Sequence, residues 1–257
     1  MVLLGAGTGY WTGTKAETGA NMGGEEKLKE NLELIKELTK KYGSSPRVSD
    51  ERIGRFRKYL FQHKSRDGFP HALNAINLSG IGAEVGVKYG KHARNICENW
   101  FGEKIYLVDP YTEFGPEYDD IANVEEETHE NIFTMAQITL RPFLDSKRAI
   151  FVRDTSLNVA ELFKKRIQLK EMAPFDFVYL DAQHHKIAIE EDIAAWAPLI
   201  KPGGVLAGHD FLDDPEGQIN GVRFDVLPVV LRFIEENGFP LVATAERFPS
   251  WFVLYPE

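Results

Sequence analysis

Apolar positions along this chain repeat at two different periods, and the changes of period divide it. From residue 25 to 42, Leu28, Leu32, Ile35, Leu38 and Tyr42 recur at helical spacing, with Gly43 as a natural stop. Ser49 and Asp50 are suited to cap a second helix carrying Ile53, Phe56, Leu60 and Phe61, with basic residues on its other face. From about Ile81 onward, short apolar runs alternate with amphipathic stretches. Residues 83–87, 104–108, 149–152, 175–180 and 205–207 predict strands; 91–100, 121–144, 158–168, 187–199 and 222–237 predict the helices between and after them. Strands separated by helices predict a largely parallel sheet with right-handed crossovers. The rhythm breaks at the C-terminus, where 241–245 and 251–255 read as two strands joined by a short loop, an antiparallel hairpin.

Residues 1–24, rich in Gly, Thr and Ala and without sustained periodicity, are expected to be a mobile tail. Within them Leu4-Gly5-Ala6-Gly7-Thr8-Gly9 imitates a nucleotide-binding turn. It lacks the preceding strand and following helix that such a turn requires, and is rejected. Three segments result: the tail 1–24, an N-terminal helical cap 25–80 expected to cover a ligand cleft, and a core domain 81–257.

Composition narrows the function. A net charge of -9 counts against nucleic-acid contact, which needs clustered Lys and Arg. No apolar run approaches the ~18–20 residues that span a bilayer, and residues 1–4 lack the features of a secretory signal. The single cysteine, Cys97, excludes an internal disulfide framework and fits a reducing compartment, so the expectation is a soluble, cytoplasmic protein. Eight acids and no Lys or Arg lie between Tyr111 and Asn131, whereas seven Lys or Arg lie between Arg47 and Arg66; both runs read first as solvated surface. Self-association is left open.

The candidate chemistry starts at Gly82-Ala83-Glu84-Val85-Gly86-Val87-Lys88-Tyr89-Gly90. Glu84 and Gly86 are expected where the first strand ends, and Gly90 precedes a helix. The spacing is Glu-x-Gly-x-x-x-Gly, not the Gly-x-Gly-x-x-Gly that brings a backbone close to a pyrophosphate. A cofactor without phosphates but with a positively charged amino acid moiety can use a carboxylate such as Glu84. Asp109, ending the second strand, is placed to accept hydrogen bonds from two ribose hydroxyls. Asp154, Thr155 and Ser156, after the third strand, are candidates to contact an adenine ring, or else Thr155 or Ser156 is a helix N-cap.

On these residues, and on the C-terminal hairpin, the chain from about 82 to 256 resembles the class I S-adenosylmethionine-dependent methyltransferases. The resemblance implies a Rossmann-like α/β fold: a mostly parallel sheet of seven strands ending in an antiparallel hairpin, with helices on both faces. It also implies Glu84, Gly86, Gly90 and Asp109 as cofactor contacts.

The fourth predicted strand runs into Asp181-Ala182-Gln183-His184-His185 and the fifth into His209-Asp210-Phe211. Asp181 and Asp210 should emerge side by side, where two carboxylates near imidazoles suit an oxygen-loving divalent cation such as Mg²⁺. The arrangement is similar to the catechol O-methyltransferase-like and macrocin O-methyltransferase-like groups, which methylate small molecules with Mg²⁺ on the acceptor hydroxyl. That likeness implies Asp181 and Asp210 as metal ligands and His184 as general base. Phe211 stands where the catechol group has Asn, and Gln183 where many sugar-modifying relatives have an acid. The third ligand is therefore open between His209 and an acid of the 113–130 run. Plainer roles stand beside these: Asp181 as a helix cap, Asp210 as a turn residue, His184 and His185 as loop residues. The expected function is O-methylation of a small-molecule acceptor. The alternatives are N-methylation, a repurposed enzyme, a dehydrogenase or a non-catalytic binding protein.

Overall fold

A computed structural model describes residues 20–63, 65–115 and 123–257. The decoy turn and most of the predicted tail lie outside the described residues. Helix α1 (Ala20–Lys41) begins earlier than its apolar stripe, so residues 20–24 are helical rather than tail. At Gly24 a Cβ would meet Gln218 O at 2.4 Å, so glycine permits a close approach there that periodicity does not report.

The elements then run α2 (Asp50–Leu60), a 3-10 turn at Arg66–Gly68, α3 (Phe69–Ala75), β1 (Ile81–Val85), α4 (Lys91–Asn99), β2 (Lys104–Val108), α5 (Glu126–Asp145) and β3 (Ala149–Val152). They continue α6 (Ser156–Gln168), β4 (Phe175–Leu180), α7 (Lys186–Trp196), β5 (Ile200–Gly208), β6 (Asp213–Asp214), β7 (Phe224–Asp225), α8 (Val226–Asn237), β8 (Leu241–Ala243) and β9 (Trp251–Leu254). Seven strands form one sheet in the order β3-β2-β1-β4-β5-β9-β8. The first five are parallel, and β9 and β8 are added antiparallel, as the hairpin pattern predicts. Val85 pairs with both Val108 and Leu180, and Leu180 with Gly208, so the carboxyl ends of β2, β1, β4 and β5 form one edge.

Period-two alternation sorts the strand residues onto two cores. Val85, Val108, Val178 and Leu180 face a layer that includes Phe163, Ile193, Trp196 and Val230 from α6, α7 and α8. Leu107, Phe177 and Tyr179 face Phe56, Phe69, Ile96 and Leu140 from α2, α3, α4 and α5. Helix α1 joins the first layer through Ile35 and Leu38.

Three elements differ from the sequence pattern. Helix α3, with Phe69, Ala72 and Leu73 fully buried, is too short to show a period. The last helix starts at Val226 rather than 222, because Phe224–Asp225 pairs with Asp213–Asp214 in a separate two-stranded ribbon. Strand β5 starts at Ile200 rather than 205 and runs through Pro202-Gly203-Gly204, with an irregular register against β4 at that point. Among the described residues no helix is long and apolar enough to cross a membrane.

Candidate functional site

At the carboxyl edge of β1, β2 and β4 lies a cavity of about 370 Å³. Gly86 forms part of its wall, with φ +84° and an imaginary Cβ 2.0 Å from Asp181 O. Only glycine fits there, so the chain after β1 can turn sharply against the end of β4. Gly90 serves the same turn differently. Its φ is +71°, it caps α4, and a Cβ would press on Leu140 at 2.7 Å. It does not line the cavity.

Asp109 holds this turn from the neighbouring strand. Its Oδ2 accepts from Val87 N (2.9 Å) and Lys88 N (3.0 Å), and its Oδ1 from Tyr111 N (3.0 Å). Half-buried in the cavity wall, it therefore organises the backbone on both sides of a ligand position. Lys88 and Tyr111 both sit at positive φ, and these carboxylate bonds help to hold that backbone.

Glu84 is not part of the wall. It falls one residue before the end of β1, and strand alternation points it to the α4 side, where it is buried 3.4 Å from His92 Nδ1. Burial pushes the Glu84 carboxyl up to about 8, with the Arg66 charge opposing and the Asp109 charge adding. Burial, then the Arg66 charge, takes His92 down to about 3. At neutral pH the contact is between two neutral groups, so the expected carboxylate facing a charged ligand group is not what Glu84 presents.

After β3, Thr155 and Ser156 line the cavity, while Asp154 is exposed and accepts from Thr155 N and Asn158 Nδ2 (2.9 Å) at the start of α6. Thr155 is the N-cap residue by position but makes no side-chain cap bond. Ser156 Oγ instead donates to Asp192 Oδ1 and accepts from Trp196 Nε1 (2.8 Å), both on α7. The segment after β2 contributes Phe114, Asn123, His129 and Ile132. Two of the described acids of that run are bound elsewhere: Glu126 accepts from Thr112 and Glu113, and Glu130 pairs with Arg153. Neither α1 nor α2 lines the cavity.

Beside the cavity, Asp181, His209 and Asp210 bring ligand-type atoms within 4.8 Å of one another. Continued sheet bonding aligns them: Asp181 N donates to Val85 O (2.7 Å) and His209 N to Leu180 O (3.0 Å). Each carboxylate turns one oxygen inward and has the other held from outside. His209 Nδ1 lies 3.7 Å from Asp181 Oδ1 and 3.1 Å from Asp210 Oδ1. Arg66 Nη1 holds Asp181 Oδ2 (2.7 Å), and His184 Nε2 contacts Asp210 Oδ2 (2.8 Å). Burial raises the Asp210 pKa, but hydrogen bonds from His184 and His209 outweigh it and keep Asp210 well below the usual carboxylate range. Asp181 moves the other way, raised by burial against the charges of His209 and Arg66, with Asp210 adding.

Of the plainer roles, the loop reading matches the placement of His184 and His185 between β4 and α7, and Asp210 does sit in a turn, at φ +50°. Helix α7 is capped in position by His185, not Asp181, and the Asp210 side chain faces imidazoles rather than its own turn. His184 is set by the small ribbon: Asp225 N donates to His184 O (2.9 Å), Asp225 Oδ2 accepts from Lys186 N, and Phe224 meets the imidazole edge-on. Sequence reasoning missed two residues here. Arg66 arrives with the turn after α2, where it reads as one more surface cation. Asp192 shows no local signal except as an acid on the buried stripe that contains Ile189, Ile193 and Trp196.

Two carboxylates and an imidazole suit a divalent cation in donor number and type, and the outer oxygens are oriented as ligating carboxylates generally are.

Residues 83–211, half of the chain, match the model of a family described as a methyltransferase domain. The chain belongs to that family and is a class I S-adenosylmethionine-dependent methyltransferase. Among solved structures, it is similar to the N-methyltransferase NodS from Bradyrhizobium japonicum WM9, at 12% identity over 77% of this chain and 97% of that one, with a TM-score of 0.49. An O-methyltransferase family protein from Burkholderia thailandensis aligns at 14% identity over 96% and 75%, TM-score 0.49. The O-methyltransferase from Bacillus cereus in complex with SAH aligns at 12% over 90% and 100%, TM-score 0.48. No curated protein matches the sequence.

Proposed function

We propose that this enzyme methylates a hydroxyl of a small molecule, with a divalent cation assisting at Asp181, Asp210 and His209. The observation that carries the reading is the meeting of these residues with His184 beside the cavity at the sheet's carboxyl edge. S-adenosylmethionine supplies the methyl group as a sulfonium electrophile, and Asp109, Gly86, Thr155 and Ser156 are the residues to hold it. A cation such as Mg²⁺, which Asp181, Asp210 and His209 would hold, would lower the pKa of an acceptor hydroxyl.

His184 is the group to take the acceptor's proton, because Asp210 Oδ2 at 2.8 Å stabilises the imidazolium that results. Arg66 fixes Asp181 so that Oδ1 stays turned toward the reacting edge. Positioning and electrostatic stabilisation of the developing oxyanion then supply most of the acceleration. Arg66 also supports a second reading. Its guanidinium already balances Asp181, so a metal-free transfer, including transfer to nitrogen with His184 as base, needs no further cation.

The test is release of S-adenosylhomocysteine across phenol, sugar and amine acceptors, with EDTA and then with excess Mg²⁺ or Mn²⁺. The main reading expects turnover on hydroxyls, abolished by chelation and restored by the metal. Turnover that resists chelation supports the second, and absence of turnover on every hydroxyl contradicts the first.

A further inference from the structure

We propose that Glu246, in the β8–β9 loop, is a positioning residue for the reaction: it sets Arg66 and, through Arg66, the carboxylate of Asp181. This rests on reading Asp181 as part of the reacting edge, and it holds with or without a cation there. Glu246 is half-buried and lies outside the cavity wall. Its Oε1 accepts from Arg66 N (2.9 Å), 180 residues away in the chain, and from Thr244 Oγ1 (2.9 Å). Thr244 Oγ1 in turn accepts from Ser250 N (2.8 Å), and Ser250 Oγ shares a hydrogen bond with the Tyr179 hydroxyl (2.9 Å). Tyr179 belongs to β4, the strand that runs into Asp181, and Arg66 Nη1 donates to Asp181 Oδ2 (2.7 Å). The circuit therefore closes, from Asp181 through Arg66, Glu246, Thr244, Ser250 and Tyr179 back along β4.

Burial makes the far side of this circuit stiff. Thr244, Ser250 and Tyr179 are at most 1% exposed, so water does not compete for their hydrogen bonds. The circuit holds Arg66 at both ends: Glu246 takes its backbone N–H, and the Tyr179 hydroxyl bonds its side chain. The rest of the turn is fixed separately. Asn95 Nδ2 donates to Asp67 O (3.2 Å), and a Cβ on Gly68 would collide with Leu60 O, so the turn lies directly against α2. Removing the Glu246 carboxylate therefore leaves the turn in place but frees its first residue. A long, flexible arginine then readily loses its bond to Asp181. A carboxylate rotates easily about its last bond, so Asp181 Oδ1 faces the reacting edge only while Oδ2 is held.

The test has two readouts. Crystal structures of the wild type, Glu246→Ala and Glu246→Gln read the contact between Arg66 and Asp181 directly. It should persist in the wild type and in Glu246→Gln, whose amide oxygen still accepts from Arg66 N, and be lost in Glu246→Ala with the fold unchanged. Turnover is then compared in these proteins, in Arg66→Ala and in the Glu246→Ala/Arg66→Ala double variant, on whichever of the phenol, sugar and amine acceptors is methylated. In Glu246→Ala kcat should fall about tenfold, the scale of a lost hydrogen bond to a charged group, and in Glu246→Gln it should stay within about threefold of wild type. KM for S-adenosylmethionine should move in neither. In the Arg66→Ala background, removing Glu246 should cost nothing more, because the two act through one path. A merely structural role would instead add its loss in that background and would not be rescued by glutamine. An intact contact between Arg66 and Asp181 in Glu246→Ala, or additive losses, would overturn the inference. So would full turnover in Arg66→Ala, which leaves O-methylation itself standing. A wild type that methylates no acceptor contradicts the functional reading instead, and the crystal contact then decides the positioning alone.

Discussion

At the scale of single residues, Asp109 carries more than its position after β2 suggests. Three backbone N–H groups from two segments converge on its carboxylate, so it shapes the turn as well as facing the cavity. Asp109→Ala should therefore lower stability by about 2–3 kcal/mol and weaken S-adenosylhomocysteine at least about tenfold, each the scale of lost hydrogen bonds to a charged group. Denaturant titration and calorimetry measure the two effects separately. Unchanged affinity in a destabilised variant would confine Asp109 to the turn. Glu84 teaches the opposite lesson. Its place in the glycine motif suggested a ligand contact, yet strand parity sends it beneath the turn to His92.

At the scale of elements, that buried pair joins β1 to α4 and makes the joint sensitive to pH. His92, lowered from 6.5 to about 3, is neutral in both states above pH 6.5. Glu84 is raised from 4.5 to about 8. Between pH 6.5 and about 8 the unfolded chain has lost the Glu84 proton and the folded protein keeps it. The folded state then binds more protons, so this group makes stability fall as pH rises. Above about 8 the loss levels off. Urea unfolding at pH 6.5 and 8 should show this fall in the wild type, on the order of 1–2 kcal/mol, and not in Glu84→Gln. The same slope in both proteins would mean that Glu84 is already ionised when folded. The turn after α2 has the other element-scale consequence. Arg66 N donates to Glu246 in the β8–β9 loop (2.9 Å) while its guanidinium holds Asp181, so the segment before the sheet completes the site from outside it.

At the scale of the molecule, the sheet was legible because buried parallel strands read as apolar runs and their helices as amphipathic stripes. The meeting of Asp181 and Asp210 was legible for the same reason: each follows a strand, and β4 and β5 are neighbours. What the sequence hid depends on contacts between distant segments. Arg66 lies 115 residues from its partner Asp181, and Ser156 lies 36 residues from Asp192. The ribbon that sets His184 pairs only two residues with two, too few to display alternation. Helix α1 extends through two glycines because its surroundings, not its propensity, favour it there.

The central claim is that methyl transfer takes place where the cavity meets Asp181 and Asp210. It is tested most directly by comparing turnover with S-adenosylhomocysteine affinity in Asp181→Asn, a change that keeps the side chain's shape and removes its charge. Turnover on a hydroxyl acceptor should fall at least about 10²-fold, the scale of losing a positioned catalytic group, while affinity stays within about threefold. Wild-type turnover in that variant would contradict the claim.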